Sequence, residues 1–417
     1  MSRPQAESGE RFRLSSLTFS VFLPTVCFSI GQGAVIPVIP LFARELGSSV
    51  AGAALVVAMR GVGQLLGDMP AGLAVSKWGD KGAMVLGTGV IGLVAVGASL
   101  STSPVMLGAL ILLMGFGWAF WQLARLAYVS EVTPLERRGR ALSMTGGMNR
   151  IGNFIGPLIG GYLGQELGLE AAFVAQAVMG LAAAAMMFLV VKESPASEHV
   201  TLASLRGRLA GTVAENRSVL IRAGPPVITL SVLRQARQVF LPLWGLHIGL
   251  GPGQIGVITS ASFFIDATVF YPVGVLMDTK GRKWAAVPCL LIMALGLAVL
   301  PLTQEFGAFL AVGLLTGLGN GFGSGINMTL GADFSPDVGR GEFLGVWRLI
   351  SDVGQGAGPL IISGLTGVAG LAAASLASGG IGLAGAFMLL AFVPETLRRR
   401  RAVPVPTYAM TDADGAG

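Results

Sequence analysis

The chain has 417 residues, of which 53% are hydrophobic and only 12% charged, with 62 glycines and a mean hydropathy of +0.72. That profile excludes an ordinary soluble domain and predicts an all-α, multi-pass membrane protein. A formal charge of +6 would suggest nucleic acid as a partner of a soluble chain, but here the bases collect in short loops on alternate turns, so they report topology and no nucleic-acid partner is expected.

In chain order, residues 1–14 are polar, carry Arg3, Arg11 and Arg13, and lack a signal-cleavage pattern; they read as an uncleaved cytoplasmic tail. A first half, 15–192, holds six apolar segments at about 16–42, 50–75, 82–101, 104–128, 141–164 and 169–191, each long enough to cross about 30 Å of hydrocarbon. Residues 193–224 are the longest internal polar stretch and read as a cytoplasmic linker. A second half, 225–393, repeats six apolar segments at about 225–249, 253–277, 284–303, 306–330, 342–366 and 369–393. Residues 394–417, with Arg398 to Arg401, form a second cytoplasmic tail.

Lys77, Lys81, Arg137, Arg138, Arg140, Lys280, Arg282, Lys283 and Arg340 fall in loops on one side, whereas the other side offers only Arg44. Positive charge stays inside, so both termini are expected in the cytoplasm, with the protein in the plasma membrane, the inner membrane of a bacterial cell. Cys27 and Cys289 lie in apolar runs and imply neither disulfides nor a thiolate metal site. No metal-ligand cluster, nucleophile–base pair or phosphate-binding loop is present, so no metal, cofactor or enzymatic activity is expected.

The halves resemble each other at one fixed offset. Gly79 and Gly281 are 202 positions apart, and the same offset relates Gly152 to Gly354, Gly156 to Gly358, Pro157 to Pro359, Pro134 to Pro336 and Pro40 to Pro242. This predicts a duplication: two six-helix bundles with pseudo-two-fold symmetry and a substrate cavity between them near mid-membrane.

Three motifs carry a family resemblance. The fifth segment reads Gly152-Asn-Phe-Ile-Gly156-Pro157-Leu-Ile-Gly160-Gly161; the eighth is followed by Gly274-Val-Leu-Met-Asp278-Thr-Lys-Gly281-Arg282-Lys283; the first contains Gly31-Gln-Gly-Ala-Val-Ile-Pro37-Val-Ile-Pro40. Together they resemble the major facilitator superfamily, in its branch of twelve-span drug:proton antiporters. The loop after the second segment, Gly72-Leu-Ala-Val-Ser76-Lys77-Trp-Gly79-Asp80-Lys81, departs from the pattern, with Ser76 for the usual acid and Asp80 for a base. The arginine that the family often carries on span 4 is also missing, with Ile111 and Leu113 ahead of Gly115 and Gly117, and Arg125 is no evident substitute.

The resemblance implies a cytoplasmic gate built from the two loops. Asp278 would pair with Arg340 or with its own loop bases, and Glu131 with the loop holding Arg137 and Arg138 would serve the first half in place of Ser76. It also implies that Gly152, Gly156, Pro157, Gly160 and Gly161 form a packing and hinge surface, with Gly354, Gly358 and Pro359 its partner in the second half.

A charge in hydrocarbon costs at least about 2.5 to 3.5 kcal/mol, so intramembrane ions are candidates for paired or functional roles. Arg60 and Asp68 fall on span 2, Arg150 on span 5, Arg234 and Arg237 on span 7, Asp266 on span 8, and Arg348 and Asp352 on span 11. At about 1.5 Å per residue Arg150 and Asp266 reach similar depths, and in the family fold spans 5 and 8 touch, as do spans 2 and 11. The expected pairs are therefore Arg150 with Asp266 and Asp68 with Arg348, although Arg234 or Arg237 could hold Asp266, and Arg60 or a span-7 arginine could neighbour Asp352. Asp266, Asp352 and Asp68 are proton-coupling candidates, with Arg150 as switching partner; static pairing of buried charge is the alternative. Gln32, Trp118, Trp121, Gln122, Arg234, Arg237, Trp244 and Phe263 are candidates for the cavity wall, although most aromatics in a bundle are packing.

The function expected from the resemblance is proton-coupled efflux of amphipathic, drug-like small molecules by alternating access, by a monomer in the lipid bilayer. Uptake or exchange of an organic anion through the arginines is a second reading, and a non-transporting sensor or assembly protein a third.

Overall fold

The computed structural model describes residues 17–192 and 202–397, all helix and connecting loop. The expected charges of the two tails, together with Glu193, Glu198 and His199, lie outside the described residues, as do the side chains of Arg206 and Arg208.

Among the described residues the helices give twelve spans. Span 1 is Thr18–Phe22, Leu23–Val35 and Val38–Glu45, interrupted where Pro37 and Pro40 remove helical N–H donors. Spans 2 and 3 form the continuous run Val50–Ser99, turned at Gly79; span 4 is Pro104–Val132, span 5 Leu135–Glu166 and span 6 Glu170–Val190. A short helix, Leu202–Glu215, occupies the expected linker. Span 7, Arg217–His247, begins eight residues before the expected 225, because Pro225 and Pro226 fall inside a helix that tolerates them. Span 8 is Pro252–Thr279, span 9 Lys283–Val299, span 10 Phe306–Phe322 and Ile326–Phe334, and spans 11 and 12 the run Arg340–Phe392, turned at Gly370.

Eight described helices are long and apolar enough to cross a membrane, two of them at 50 and 53 residues holding two spans each. Spans 5 and 7 fall outside that set because they carry the polar groups Asn149, Arg150 and Asn153, and Arg234, Gln235, Arg237 and Gln238. Large apolar side chains such as Phe188, Leu189, Phe387 and Leu390 stand on the outer surface, as a lipid-facing perimeter requires.

The duplication is written into the backbone. Gly47 and Gly249 have φ of 91° and 82°, Gly79 and Gly281 of 72° and 120°, Gly168 and Gly370 of 97° and 83°. Each pair is related by the 202 offset, so three loops of the first half recur with the same left-handed turn, a conformation that only glycine adopts readily.

Within the first half spans 1 and 5, 2 and 4, and 3 and 6 pack together; in the second the equivalents are 7 and 11, 8 and 10, and 9 and 12. The halves meet where span 2 crosses span 11 and span 5 crosses span 8. Away from the basic loops these seams are tight: Gly161 adjoins Gly256, Gly61 adjoins Gly356, and the Ser363 hydroxyl donates to the Ala51 carbonyl at 2.8 Å. Toward the basic loops the glycines are less crowded: a Cβ built on Gly146, Gly147, Gly274, Gly341 or Gly345 would meet nothing within 4 Å.

The glycine run of span 5 mostly packs within its own half. A Cβ at Gly152 would stand 2.3 Å from Ser29, at Gly156 2.5 Å from the Ile30 carbonyl and at Gly160 1.9 Å from that of Ala34; only Gly161 faces the other half. Gly354 and Gly358 stand against Ser231 and Val232 of span 7, which the offset relates to Ser29 and Ile30. The two glycine runs therefore repeat one another's packing and do not meet, contrary to the expected partnership.

Candidate functional site

Two polar clusters cross the seam between the halves at mid-depth. In the first, Arg150 of span 5 donates from Nη1 to Asp266 Oδ1 at 3.0 Å and from Nη2 to the Ser324 hydroxyl at 2.9 Å, with its guanidinium 4.4 Å from the Phe270 ring. Asp266 also accepts from Asn320 Nδ2 at 2.7 Å and Ser324 Oγ at 3.2 Å. Span 10 breaks at residues 323–325, with Asn320 just before the break and Ser324 within it, and Gly325 closes it with φ of 78°. A broken helix frees backbone groups that hydrocarbon cannot solvate; here Arg234 supplies a donor to the Gly323 carbonyl.

In the second cluster, Asp352 of span 11 accepts from Gln64 Nε2 of span 2 at 3.1 Å, from Gln355 Nε2 at 2.6 Å and from Arg348 Nε at 3.4 Å. Arg348 also reaches Asp68 of span 2, Nη2 to Oδ1 at 3.7 Å. The clusters are symmetry counterparts: the 202 offset relates Gln64 to Asp266 and Arg150 to Asp352. The offset positions therefore place one carboxylate in each seam, Asp266 on span 8 and Asp352 on span 11, and the second seam adds Asp68.

The sequence-derived pairs Arg150 with Asp266 and Asp68 with Arg348 are thus adjacent in space. The other arrangements are not formed. Arg234 and Arg237 do not hold Asp266, and Asp352 meets Arg348 rather than Arg60 or a span-7 arginine. Arg60 donates to Gln32 at 2.8 Å and lies 5.1 Å from the Trp118 ring; Arg237 donates to the Ser262 hydroxyl at 2.8 Å and lies 4.7 Å from Phe263. Arg125 lies 3.9 Å from the Trp121 ring. Arg60, Arg125, Arg234 and Arg237 have no carboxylate ion-pair partner among the described residues; amides, hydroxyls, a carbonyl and ring faces meet them instead.

Among the proposed wall residues, Trp121 is fully buried against Phe28 and Trp118. Trp244 is a correction: it is buried, with its indole N–H donated to Thr303, and packs inside the second bundle instead of facing the seam. Gln32 and Arg237 are also buried, while Trp118, Gln122, Arg234 and Phe263 are half-buried. A separate cavity of about 480 Å³ opens at the opposite face between spans 1, 5, 7 and 8, lined by Leu41, Arg44, Glu45, Gly164, Leu246 and Pro252 among others.

At the basic face, Arg282 organises the second-half loop. It donates to Asp333 at 2.8 Å, the Met277 carbonyl at 2.8 Å and Asp278 at 3.4 Å. Asp278 is largely exposed and pairs with this loop base, not with Arg340. Glu395 caps the loop by accepting the backbone N–H groups of Arg282 and Lys283 at 2.9 and 3.0 Å. Burial raises the Glu395 carboxyl, but these N–H bonds and the Arg282 charge outweigh it and hold the group below its ordinary range. Lys283 Nζ donates to the Leu390 carbonyl and Lys81 lies over the Phe188 ring.

The first-half loop has different chemistry. Asp80 stands at the position of Arg282 and Glu131 at that of Asp333, and the two carboxyls adjoin. Burial first, then the charge and hydrogen bond of Glu131, push the Asp80 carboxyl up to about 6. Glu131 thus faces an acid, and the Ser76 hydroxyl donates to the Leu73 carbonyl. Asn320, Ser324, Gln64, Gln355, Asp333 and Glu395 were not singled out from sequence. The sequence signal that leads to the Asp80–Glu131 pairing is the 202 offset from Arg282 and Asp333.

Comparison with known proteins agrees with this geometry. The family model described as Major Facilitator Superfamily matches residues 21–239 and again residues 227–407. An uncharacterized MFS-type transporter of Methanocaldococcus jannaschii is 20% identical over 369 residues, covering 86% of this chain and 94% of that protein. Multidrug resistance protein 2 of Bacillus subtilis is 26% identical over 278 residues, covering 64% and 68%. Crystal structures of a POT family transporter and of a D-xylose-proton symporter share the fold at TM-scores of 0.74 and 0.70, with 14% and 16% identity, over 91% and 92% of this chain and 95% and 98% of theirs.

Proposed function

The chain belongs to the Major Facilitator Superfamily and is a multi-pass secondary transporter of small molecules, and from that premise we propose that it exports amphipathic organic molecules in exchange for protons. The observation that carries the coupling is the pair of carboxylate clusters bridging the two halves at the seams that a rocking motion must open and close. A seam held by ions and hydrogen bonds has two discrete states, and a proton or a substrate that favours one of them shifts the equilibrium.

In this reading the basic face is cytoplasmic, as are both termini, and the protein sits as a monomer in the cell membrane with residues 193–224 linking 15–192 to 225–393. The loops 72–81 and 274–283 act as inner gates, and the glycines of spans 5 and 11 keep each half rigid while it turns. The weak similarity to a multidrug resistance protein supports efflux.

A second reading is favoured by one observation: four intramembrane arginines, Arg60, Arg125, Arg234 and Arg237, have no carboxylate partner among the described residues. Such a surplus suits an organic anion. Purified protein in liposomes with an enclosed pH dye, challenged with cationic, neutral and anionic amphiphiles, separates the readings. Proton movement evoked by cations or neutral compounds supports drug-like export, and movement evoked by anions alone transfers the proposal to the arginines. No movement for any compound would remove proton coupling.

A further inference from the structure

Resting on the proton-coupled reading above, we infer that Asp68 is the residue that gains and loses a proton within the membrane, while Asp266 and Asp352 stay ionised as counter-charges. Three intramembrane carboxyls compete for that role, and the donors around each separate them.

Asp266 has both oxygens occupied, Oδ1 by Arg150 at 3.0 Å and Ser324 at 3.2 Å, Oδ2 by Asn320 at 2.7 Å. Its pair with Arg150 sums to zero with the acid ionised, and the nearby positive charges of Arg234 and Arg237 favour the ionised form further. Asp352 likewise has both oxygens occupied, Oδ1 by Gln64 and Gln355 at 3.1 and 2.6 Å and Oδ2 by Arg348 at 3.4 Å. Asp68 has one donor near it, Arg348 at 3.7 Å from Oδ1, too long for a hydrogen bond, and its buried Oδ2 has no hydrogen-bond partner. A carboxylate is stabilised by donors to its charged form, and an oxygen without a donor in a low-dielectric site favours the acid.

Charge counting leads to the same residue. Asp68, Asp352 and Arg348 form one group, with the two carboxyls adjoining. With both acids ionised the group carries one net negative charge inside the hydrocarbon; one proton on Asp68 makes it neutral, and its O–H can then donate toward the neighbouring carboxylate. The other seam offers a control within the same molecule. The offset relates Asp68 to Phe270, whose ring lies under Arg150, so that seam has no second acid beside its ion pair.

Among the described residues, the charged groups on the elements packed against Asp68 are already engaged elsewhere or belong to its own group. Span 4 presents Phe116 and Ala119 to Gly67, beside Asp68, and its Arg125 lies on Trp121; Arg60 on span 2 is engaged by Gln32; span 11 supplies Arg348, Asp352 and Gln355. Asp68 belongs to one half, Arg348 and Asp352 to the other. Deprotonation of Asp68 pulls Arg348 across the seam and protonation releases it, which links one proton to opening of the span 2–span 11 contact.

The test is infrared titration of the purified full-length protein in lipid nanodiscs, following the C=O stretch of a protonated carboxyl. In an Asp80→Asn background, which removes the raised carboxyl of the first-half loop, the protein should show one buried carboxyl titrating, a further Asp68→Asn should lose that band, Asp68→Glu should keep it at a shifted position, and Asp266→Asn should leave it in place. A band that persists in Asp68→Asn, or that disappears in Asp266→Asn, overturns the assignment. If the band follows Asp68 but a pH gradient drives no solute in liposomes, the coupled-export reading fails while the assignment stands.

Discussion

Arg282 donates to Asp333 at 2.8 Å on the basic face of the second half, and the equivalent positions of the first half hold two acids, Asp80 and Glu131. One loop is held to its bundle by a buried ion pair and the other by two carboxyls that adjoin. The Asp80 carboxyl is raised from 3.8 to about 6. Between those values the unfolded chain has released a proton that the native protein retains, so this group's contribution to stability falls as pH rises through the window and stays lowered above it. Asp80→Asn is therefore expected to stabilise the protein above about pH 6 and to change little below the lower value. Asp80→Arg should rebuild the second half's ion pair with Glu131. Melting temperatures of the three proteins across pH check this, and equal shifts at all pH values would count against it.

At the span 5–span 8 seam, Asp266→Asn leaves Arg150 buried without a counter-charge, and a broken buried pair costs about 3–5 kcal/mol. Stability, or the balance between open and closed states, should shift by that order. Exchange of the two charges, Arg150→Asp with Asp266→Arg, should restore part of it and not all, because Asn320 and Ser324 remain placed for a carboxylate. Thermal unfolding and cross-linking of cysteine pairs at the basic face, compared for single and double variants, measure the coupling; additive effects would mean that the pair is not linked.

Gly160→Val drives methyl groups into the Ala34 backbone, since even a Cβ would lie 1.9 Å from its carbonyl oxygen. Overpacking of this kind costs about 1–3 kcal/mol or more, and loss of folded protein by size-exclusion fluorescence is expected. Gly146→Ala on the same helix meets open space and should stay within about 0.5 kcal/mol of wild type. Equal sensitivity at both positions would contradict the packing described.

The break in span 10 depends on residues of two kinds. Ser324→Ala removes the hydroxyl that contacts both Arg150 and Asp266, with an expected loss of about 1–3 kcal/mol if the partners stay buried. Gly325→Ala places a side chain at φ of 78°, a conformation costing about 1–2 kcal/mol. Both are checked by denaturation in detergent, and a Gly325→Ala protein as stable as wild type would show that the turn relaxes.

Much of the fold was legible because its determinants are local. Apolar runs of membrane length, prolines and glycines at a constant offset, and bases in alternate loops specify twelve spans and a duplication without any tertiary information. The same offset, carried into three dimensions, places Gly47, Gly79 and Gly168 in the same left-handed turns as Gly249, Gly281 and Gly370. Depth along each helix was also readable, which is why Arg150 and Asp266 could be matched before their contact was known.

What only the tertiary structure decided is rotation about the helix axis and the identity of neutral partners. Hydropathy is nearly uniform around these helices, so no amphipathic stripe tells which side chain faces the seam. That is why Trp244 fell inside a bundle, the span 5 glycines fell against span 1, and Asp352 found Gln64 instead of Arg60. Asn320, Ser324 and Gln355 carry no charge and follow no motif, so their roles emerge only when the broken span 10 and the crossing of spans 2 and 11 bring them to a carboxylate.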